Sequence, residues 1–335
     1  MNISGFNKEI AEQLKKEFPE AAIGITGCRS AGEPYPPCEY NYFIVQEGIK
    51  RIERRLEKNN FIELLFLDKD TVHNTSENMV ILALLDMNVI SDPSWDLIPI
   101  VYKIKTESSR YLQQYAKRTL FKSLTDLGRF KDAIDAGNTL DAGFWLLNSS
   151  NNFAKSIIAL SSKVPHVSHL LNEFRTAVAV SPDMFKIWFE ASGANLATKV
   201  AVIRRLDALR ELFRVGSIFS DSTIFNDPKY AYIFIEATSN YLVKSHAIVD
   251  AYCYLGLEIT RVIDELYELK CRIKGNPPLF QEMFSHLTNN EKPLRKLSMQ
   301  TIRLIGINSE EKILKEQSSN IKSLIQKVAK NISDE

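Results

Sequence analysis

The sequence predicts an α+β domain followed by an all-helical domain. Three observations predict it. Short apolar runs bounded by turn residues, the mark of strands, are confined to the first part of the chain. Beyond about residue 105, long segments with apolar residues every three or four positions take over. And 335 residues exceed what one hydrophobic core usually holds. The boundary is expected between 105 and 120, giving a first domain at 1–110 and a second at 111–335.

The elements of the first part follow in order. In "NKEIAEQLKKEF" the spacing of Ile10, Leu14 and Phe18 predicts a helix. "AAIGITG" is a short strand ended by Gly27, and "NYFIVQE" is a second strand. "GIKRIERRLEKN" places Ile49, Ile52 and Leu56 on one stripe and is read as an amphipathic helix. Its basic face, Arg51, Arg54, Arg55 and Lys58, is interspersed with Glu53 and Glu57, the pattern of a solvated, salt-bridged surface. "NFIELLFLD" is a third strand. "MVILALLDM" fits a helix or a buried strand by period and is read as a helix, and Asp92-Pro93 marks a turn or helix start.

In the second part, Ser181 and Asp227 are predicted N-caps, each followed by proline at the first helical position. Leu196, Val200, Ile203, Leu206, Leu209 and Phe213 form a predicted apolar stripe. A further stripe runs from Ile248 to Leu269 and stops at "GNPP", Gly275 to Pro278. "SEEKILKEQSSNIKSLIQKVAKNI" is a final amphipathic helix. Trp145 and Trp188 are expected in the core.

Composition narrows the function. Lys and Arg number 42 against 41 Asp and Glu, a net charge of +1 that argues against wholesale binding to nucleic acid or acidic membranes. No apolar run reaches a membrane span, and "MNISGFNKEIAEQLKK" has no signal-peptide core, so a cytoplasmic protein without membrane partners is expected. Four cysteines, none in a CxxC pair, are too few for a disulfide scaffold. His166 and His169 lack the neighbours of a zinc site and read as a helix-start pair. No arginine precedes any of the five histidines at the Arg-x4-6-His spacing of helical ribonucleases.

The chemistry concentrates in "GITGCRSAGEPYPPCEYNYFIV", Gly24 to Val45. On a strand, Glu39, Asn41, Phe43 and Val45 share one face and Tyr40, Tyr42 and Ile44 the other. A turn rich in glycine, cysteine and serine lets backbone N–H groups approach an anion, and neighbouring side-chain oxygens suit Mg²⁺. The alternative reading is two polar residues bonding backbone at a sheet edge.

Gly27-Cys28-Arg29-Ser30-Ala31-Gly32 followed by Cys38-Glu39-Tyr40-Asn41 resembles the signature of the DNA polymerase β-like nucleotidyltransferase superfamily, a Gly-Ser turn and then Asp-x-Asp entering a strand. "LDMNVISDPSWDL" also looks like the segment that follows the core in single-subunit members. The resemblance covers roughly the first hundred residues. It implies a nucleotidyltransferase-like mixed sheet with flanking helices, and a helical domain that receives the acceptor. It implies that Gly27, Cys28, Arg29 and Ser30 hold the phosphates of a nucleoside triphosphate, and that Glu39, Asn41 and Glu63 hold Mg²⁺ and carry catalysis. The expected activity is transfer of a nucleoside monophosphate to a hydroxyl on a small molecule, RNA or protein. The chain departs from the pattern in three places: Cys28 stands for the turn serine, Glu39 for the first aspartate, and Asn41 for the second. A neutral residue at the bridging position implies an alternative, a catalytically impaired relative that binds a nucleotide or other ligand, or an interaction scaffold.

Overall fold

The computed structural model describes residues 5–32, 34–73, 78–217, 227–274, 304–307 and 310–333. The architecture is α+β: a mixed sheet with flanking helices, followed by helices alone. The chain divides into two compact units, 1–114 and 115–335.

In the first unit, α1 (Gly5–Glu17) leads into β1 (Ala22–Thr26), a single-turn helix α2 (Cys28–Ala31), β2 (Tyr40–Val45), β3 (Arg51–Glu57) and β4 (Asn60–Leu67). Short α3 (Lys69–His73), α4 (Asn78–Asp86), β5 (Asn88–Ser91) and α5 (Ile98–Thr106) follow. The strand order is β3-β4-β2-β1-β5, with β2 and β4 parallel and the other pairs antiparallel. Alternation sorts the side chains onto two faces. Ile23, Ile25, Tyr42, Ile44, Leu64 and Phe66 pack with Ile10 and Leu14 of α1. Ala22, Phe43, Val45 and Leu67 pack with Val80 and Leu84 of α4 and Val101 and Ile104 of α5.

The segment 48–59 is not the predicted amphipathic helix. Residues 51–57 form β3, an edge strand paired to β4 through a two-residue turn. Lys58 and Asn59 both take positive φ, 49° and 63°, the geometry that matches a hairpin's twist. The stripe at 49, 52 and 56 satisfies a helical period, but Ile52, Arg54 and Leu56 equally share one strand face. Charge on both faces is what an edge strand carries to discourage further pairing. The salt-bridged surface is there with mostly different partners: Arg51 and Arg55 reach Glu53 within the strand, while Arg55 also reaches Glu17 and Lys58 reaches Glu9 on α1. Asp92 sets the start of α5, its carboxylate accepting from the backbone N–H groups of Asp96, Leu97 and Ile98 at 2.7–3.0 Å.

Gly24, inside β1, faces the fully buried Met87, and a Cβ there would stand 2.5 Å from the methionine sulfur. Gly24→Ala should therefore destabilise the chain by about 1–3 kcal/mol in urea denaturation. Met87→Ala in the same chain should relieve part of that cost, so the double variant is less than additive.

The second unit holds most of α6 (Ser108–Asp135), then α7 (Thr139–Leu160), α8 (Leu170–Thr176), α9 (Pro182–Ala191), α10 (Lys199–Gly216), α11 (Pro228–Lys244), α12 (Ile248–Lys274) and α13 (Glu311–Ser333). Ser181 and Asp227 cap α9 and α11 as expected, accepting from Met184 N and Tyr230 N. Trp145 and Trp188 are buried, and Trp188 Nε1 donates to Ser150 O at 3.0 Å. His166 bonds Glu173 through both its backbone N–H and its ring. The Gly275–Pro278 stop and the end of the stripe at Leu269 lie outside the described residues and side chains.

The predicted stripe of α10 is rotated. Val200 and Ile203 are 58% exposed, whereas Val202, Arg205, Leu206, Leu209, Leu212 and Phe213 are buried. The reason is Arg205, whose charge argues for the surface in any reading by hydropathy. Its Nε donates to Ile305 O at 3.0 Å and its Nη1 to Tyr252 O at 2.6 Å, and its guanidinium lies 3.4 Å from the Tyr252 ring centroid.

The α6–α7 seam is polar. Ser123 and Ser149 hydrogen-bond reciprocally, and Asn152 Nδ2 donates to Asp126 Oδ2 at 2.8 Å. Burial pushes the Asp126 carboxyl up to about 6, against the pull of Asn152, Lys122 and Arg129. The folded chain thus holds a proton there that the unfolded chain has released, so stability falls as pH rises from about 4 to about 6. Roughly two pH units at about 1.4 kcal/mol each makes this on the order of 3 kcal/mol. Asp126→Asn should flatten that part of the pH–stability curve in urea titrations.

Candidate functional site

One polar row crosses the sheet on the face that carries α4 and α5. The registers pair Thr26 with Asn41, Asn41 with Glu63, and Glu63 with Arg54, across β1, β2, β4 and β3. The sequence-predicted Asn41 and Glu63 are therefore neighbours on adjacent strands, about 4.8 Å apart along the sheet. Glu39 leads into β2 two residues before Asn41, half-buried, and alternation puts it on the same side. Gly27 ends β1 with φ 78°, and a Cβ there would come within 3.2 Å of Asn41 Nδ2. Glycine is thus required twice over, by backbone conformation and by the approach of the amide.

Arg54 is the residue that sequence reasoning missed. Its Nε lies 2.9 Å from Glu63 Oε2, with the arginine side chain 13% and the glutamate side chain 26% exposed. Alternation across a hairpin would have found it; a helical reading of 48–59 hides it. Thr26 closes the other end of the row by donating to Ala83 O at 2.6 Å.

The side chains of the glycine turn point into the fold. Ser30 Oγ donates to Asp86 O and accepts from Asn88 Nδ2, which fastens α2 to β5. Arg29 donates from Nε to Cys38 O at 2.8 Å and from Nη2 to Pro36 O at 2.7 Å, and covers the Tyr40 ring. It therefore holds the proline loop in place. The Cys28 thiol is buried beside Cys38, and the contact with that thiol together with burial drives its pKa far up. A protonated, enclosed thiol is a poor phosphate ligand and a poor nucleophile. What the turn has for an anion is backbone, and much of it is engaged: Ser30 N and Ala31 N donate to Gly27 O at 2.8 and 3.0 Å, and the Arg29 N–H bonds the Cys28 thiol. Asp68 and Asp70 stand apart from the row, and Asp68 accepts from the Gly48 and Asp70 backbone instead.

Among the described residues, no helix is long and apolar enough to cross a membrane. No family model matches the chain, and no curated protein matches it. A solved structure described as a nucleotidyltransferase-like protein, from Exiguobacterium sibiricum, is similar at 12% identity over 89% of each chain, with a TM-score of 0.34. At that score the likeness carries no weight beside the geometry of the sheet.

Proposed function

We propose that this chain is a nucleotidyltransferase-like protein that binds a nucleotide or a similar phosphate-bearing ligand at the Gly27 turn without transferring it. The observation that carries this reading is the Arg54–Glu63 ion pair beside Asn41. Two-metal transfer needs carboxylates left available to bridge hard cations. Here one member of the set is a neutral amide, and another already has a guanidinium as its counter-ion. Glu39 stands in for the first acid of the set. This donor set fits Mg²⁺ poorly, and Arg54 supplies the positive charge that a metal would bring. A guanidinium fixed on a sheet can neutralise an anion, but it cannot lower the pKa of an attacking hydroxyl as a metal does.

Isothermal titration with ATP, with and without Mg²⁺, tests the reading. Binding that Mg²⁺ leaves unchanged within about threefold supports it. Binding strengthened more than about tenfold by Mg²⁺ favours an active transferase, and no binding at all favours an interaction scaffold.

A further inference from the structure

A second polar site lies wholly within the helical unit. Four residues of α7, Asn148, Asn151, Asn152 and Lys155, recur at the i, i+3, i+4, i+7 spacing of one helix face. They line a cavity of about 230 Å³ together with Lys122 of α6 and a matching face of α12 that ends in Asp264 and Glu265. A cavity of that size holds about seven or eight waters. It falls below the range for drug-sized ligands, about 300–1,000 Å³.

The cavity has an unmet demand of one sign. Asp264 is supplied: Asn148 Nδ2 donates to its Oδ1 at 3.3 Å, and Lys122 Nζ stands 3.7 Å from its Oδ2. Asn152 is committed to Asp126, and Arg261 on the wall is tied to Glu258. The donors are what remain. Asn151 is 5% exposed, and its Nδ2 has no hydrogen-bond partner among the described residues. Lys155, half-buried, forms no hydrogen bond or close ion pair among the described residues, and Asp264 and Glu258 act on its charge only at longer range. An orphaned buried amide N–H costs about 1–3 kcal/mol, and a desolvated ammonium more. The cations of the wall, Lys122, Lys155 and Arg261, are matched in number by Asp264, Glu265 and the Glu258 that holds Arg261, so the demand rests on the unpaired donors and not on net charge.

We propose that this cavity binds a small oxyanion, the phosphate or carboxylate of a polar metabolite, with Lys155 and Asn151 as its two principal donors. The ligand supplies the acceptors that the helices lack, and Lys122 at the mouth is shared between it and Asp264. Burial, with Lys122 nearby, holds the Lys155 ammonium down to about 8, so it stays mostly charged at neutral pH, and a bound anion would raise that value.

The test is calorimetric titration of the full chain with inorganic phosphate and, separately, with succinate; the two arms distinguish a phosphate from a carboxylate ligand. A Kd of about 1 mM or tighter for either probe is expected. Lys155→Met and Asn151→Asp should each weaken it at least about tenfold, while Lys155→Arg keeps most of it. Should Lys155→Met fail to fold, Asn151→Asp and the wild-type titration still decide. Absence of binding for both probes at about 20 mM overturns the proposal, as does binding that neither variant changes. The cavity lies wholly in the helical unit, so Arg54→Ala, on the sheet, should leave the Lys155-dependent affinity unaltered; loss in that variant assigns the binding to the sheet and overturns the cavity site.

Discussion

Arg205→Ala should cost about 3–5 kcal/mol of stability, the largest single effect expected in the helical unit. The side chain is 2% exposed and is held by two backbone carbonyls, Ile305 O and Tyr252 O. Truncation removes both donors at once, strands the buried Ile305 carbonyl while Tyr252 O keeps its bond within α12, and leaves a cavity beside the Tyr252 ring. The carbonyl of Ile305 belongs to a segment far along the chain from α10, so the arginine acts as a long-range tie. Arg205→Met, which keeps the volume and loses the donors, should fall between the wild type and the alanine variant. Gly256→Ala tests the same contact from the other side. Its Cβ would stand 2.7 Å from Arg205 Nη1, and a guanidinium fixed by two carbonyls has little room to give. A loss of about 1–3 kcal/mol is expected there. Chemical denaturation of the three variants should rank them in that order.

The second large effect concerns the polar row. Arg54→Ala leaves the half-buried Glu63 carboxylate without its counter-ion and should destabilise the chain by about 1–3 kcal/mol. Adding Asn41→Asp then places two carboxylates on neighbouring strands with Glu39 alongside, the donor set that a divalent cation takes. The double variant should bind Mn²⁺ at least about tenfold more tightly than the wild type, and Mn²⁺ should restore part of the lost stability by mass action. The wild-type protein should show neither response. Thermal unfolding of both proteins with and without Mn²⁺ reads this directly. Equal responses from the two would remove the reason for assigning Arg54 the place of a metal.

Much of the first unit is legible in the sequence because its strands are apolar runs closed by turn residues, and its helices keep a clean period. Alternation puts Glu39 and Asn41 on one strand face, and the family resemblance singles out Glu63, but that Asn41 and Glu63 are neighbours shows only in the sheet register. Arg54 is hidden, because an edge strand charged on both faces looks like the solvated side of a helix, and only the positive φ of Lys58 and Asn59 betrays the hairpin. The rotated face of α10 was hidden for a related reason: a buried arginine that bonds carbonyls scores as surface in any reading by hydropathy. The run Asn148–Asn152 carries a signal that could have been read, five consecutive polar residues within an otherwise apolar helix. Its meaning needs the partner face on α12, which no local pattern supplies.

The most direct measurement is a crystal of the wild-type protein soaked with Mn²⁺ and ATP, examined by anomalous scattering. The account predicts an intact Arg54–Glu63 bridge, with no manganese peak between Glu39 and Glu63. A manganese ion bound there, with Arg54 displaced from Glu63, would contradict it.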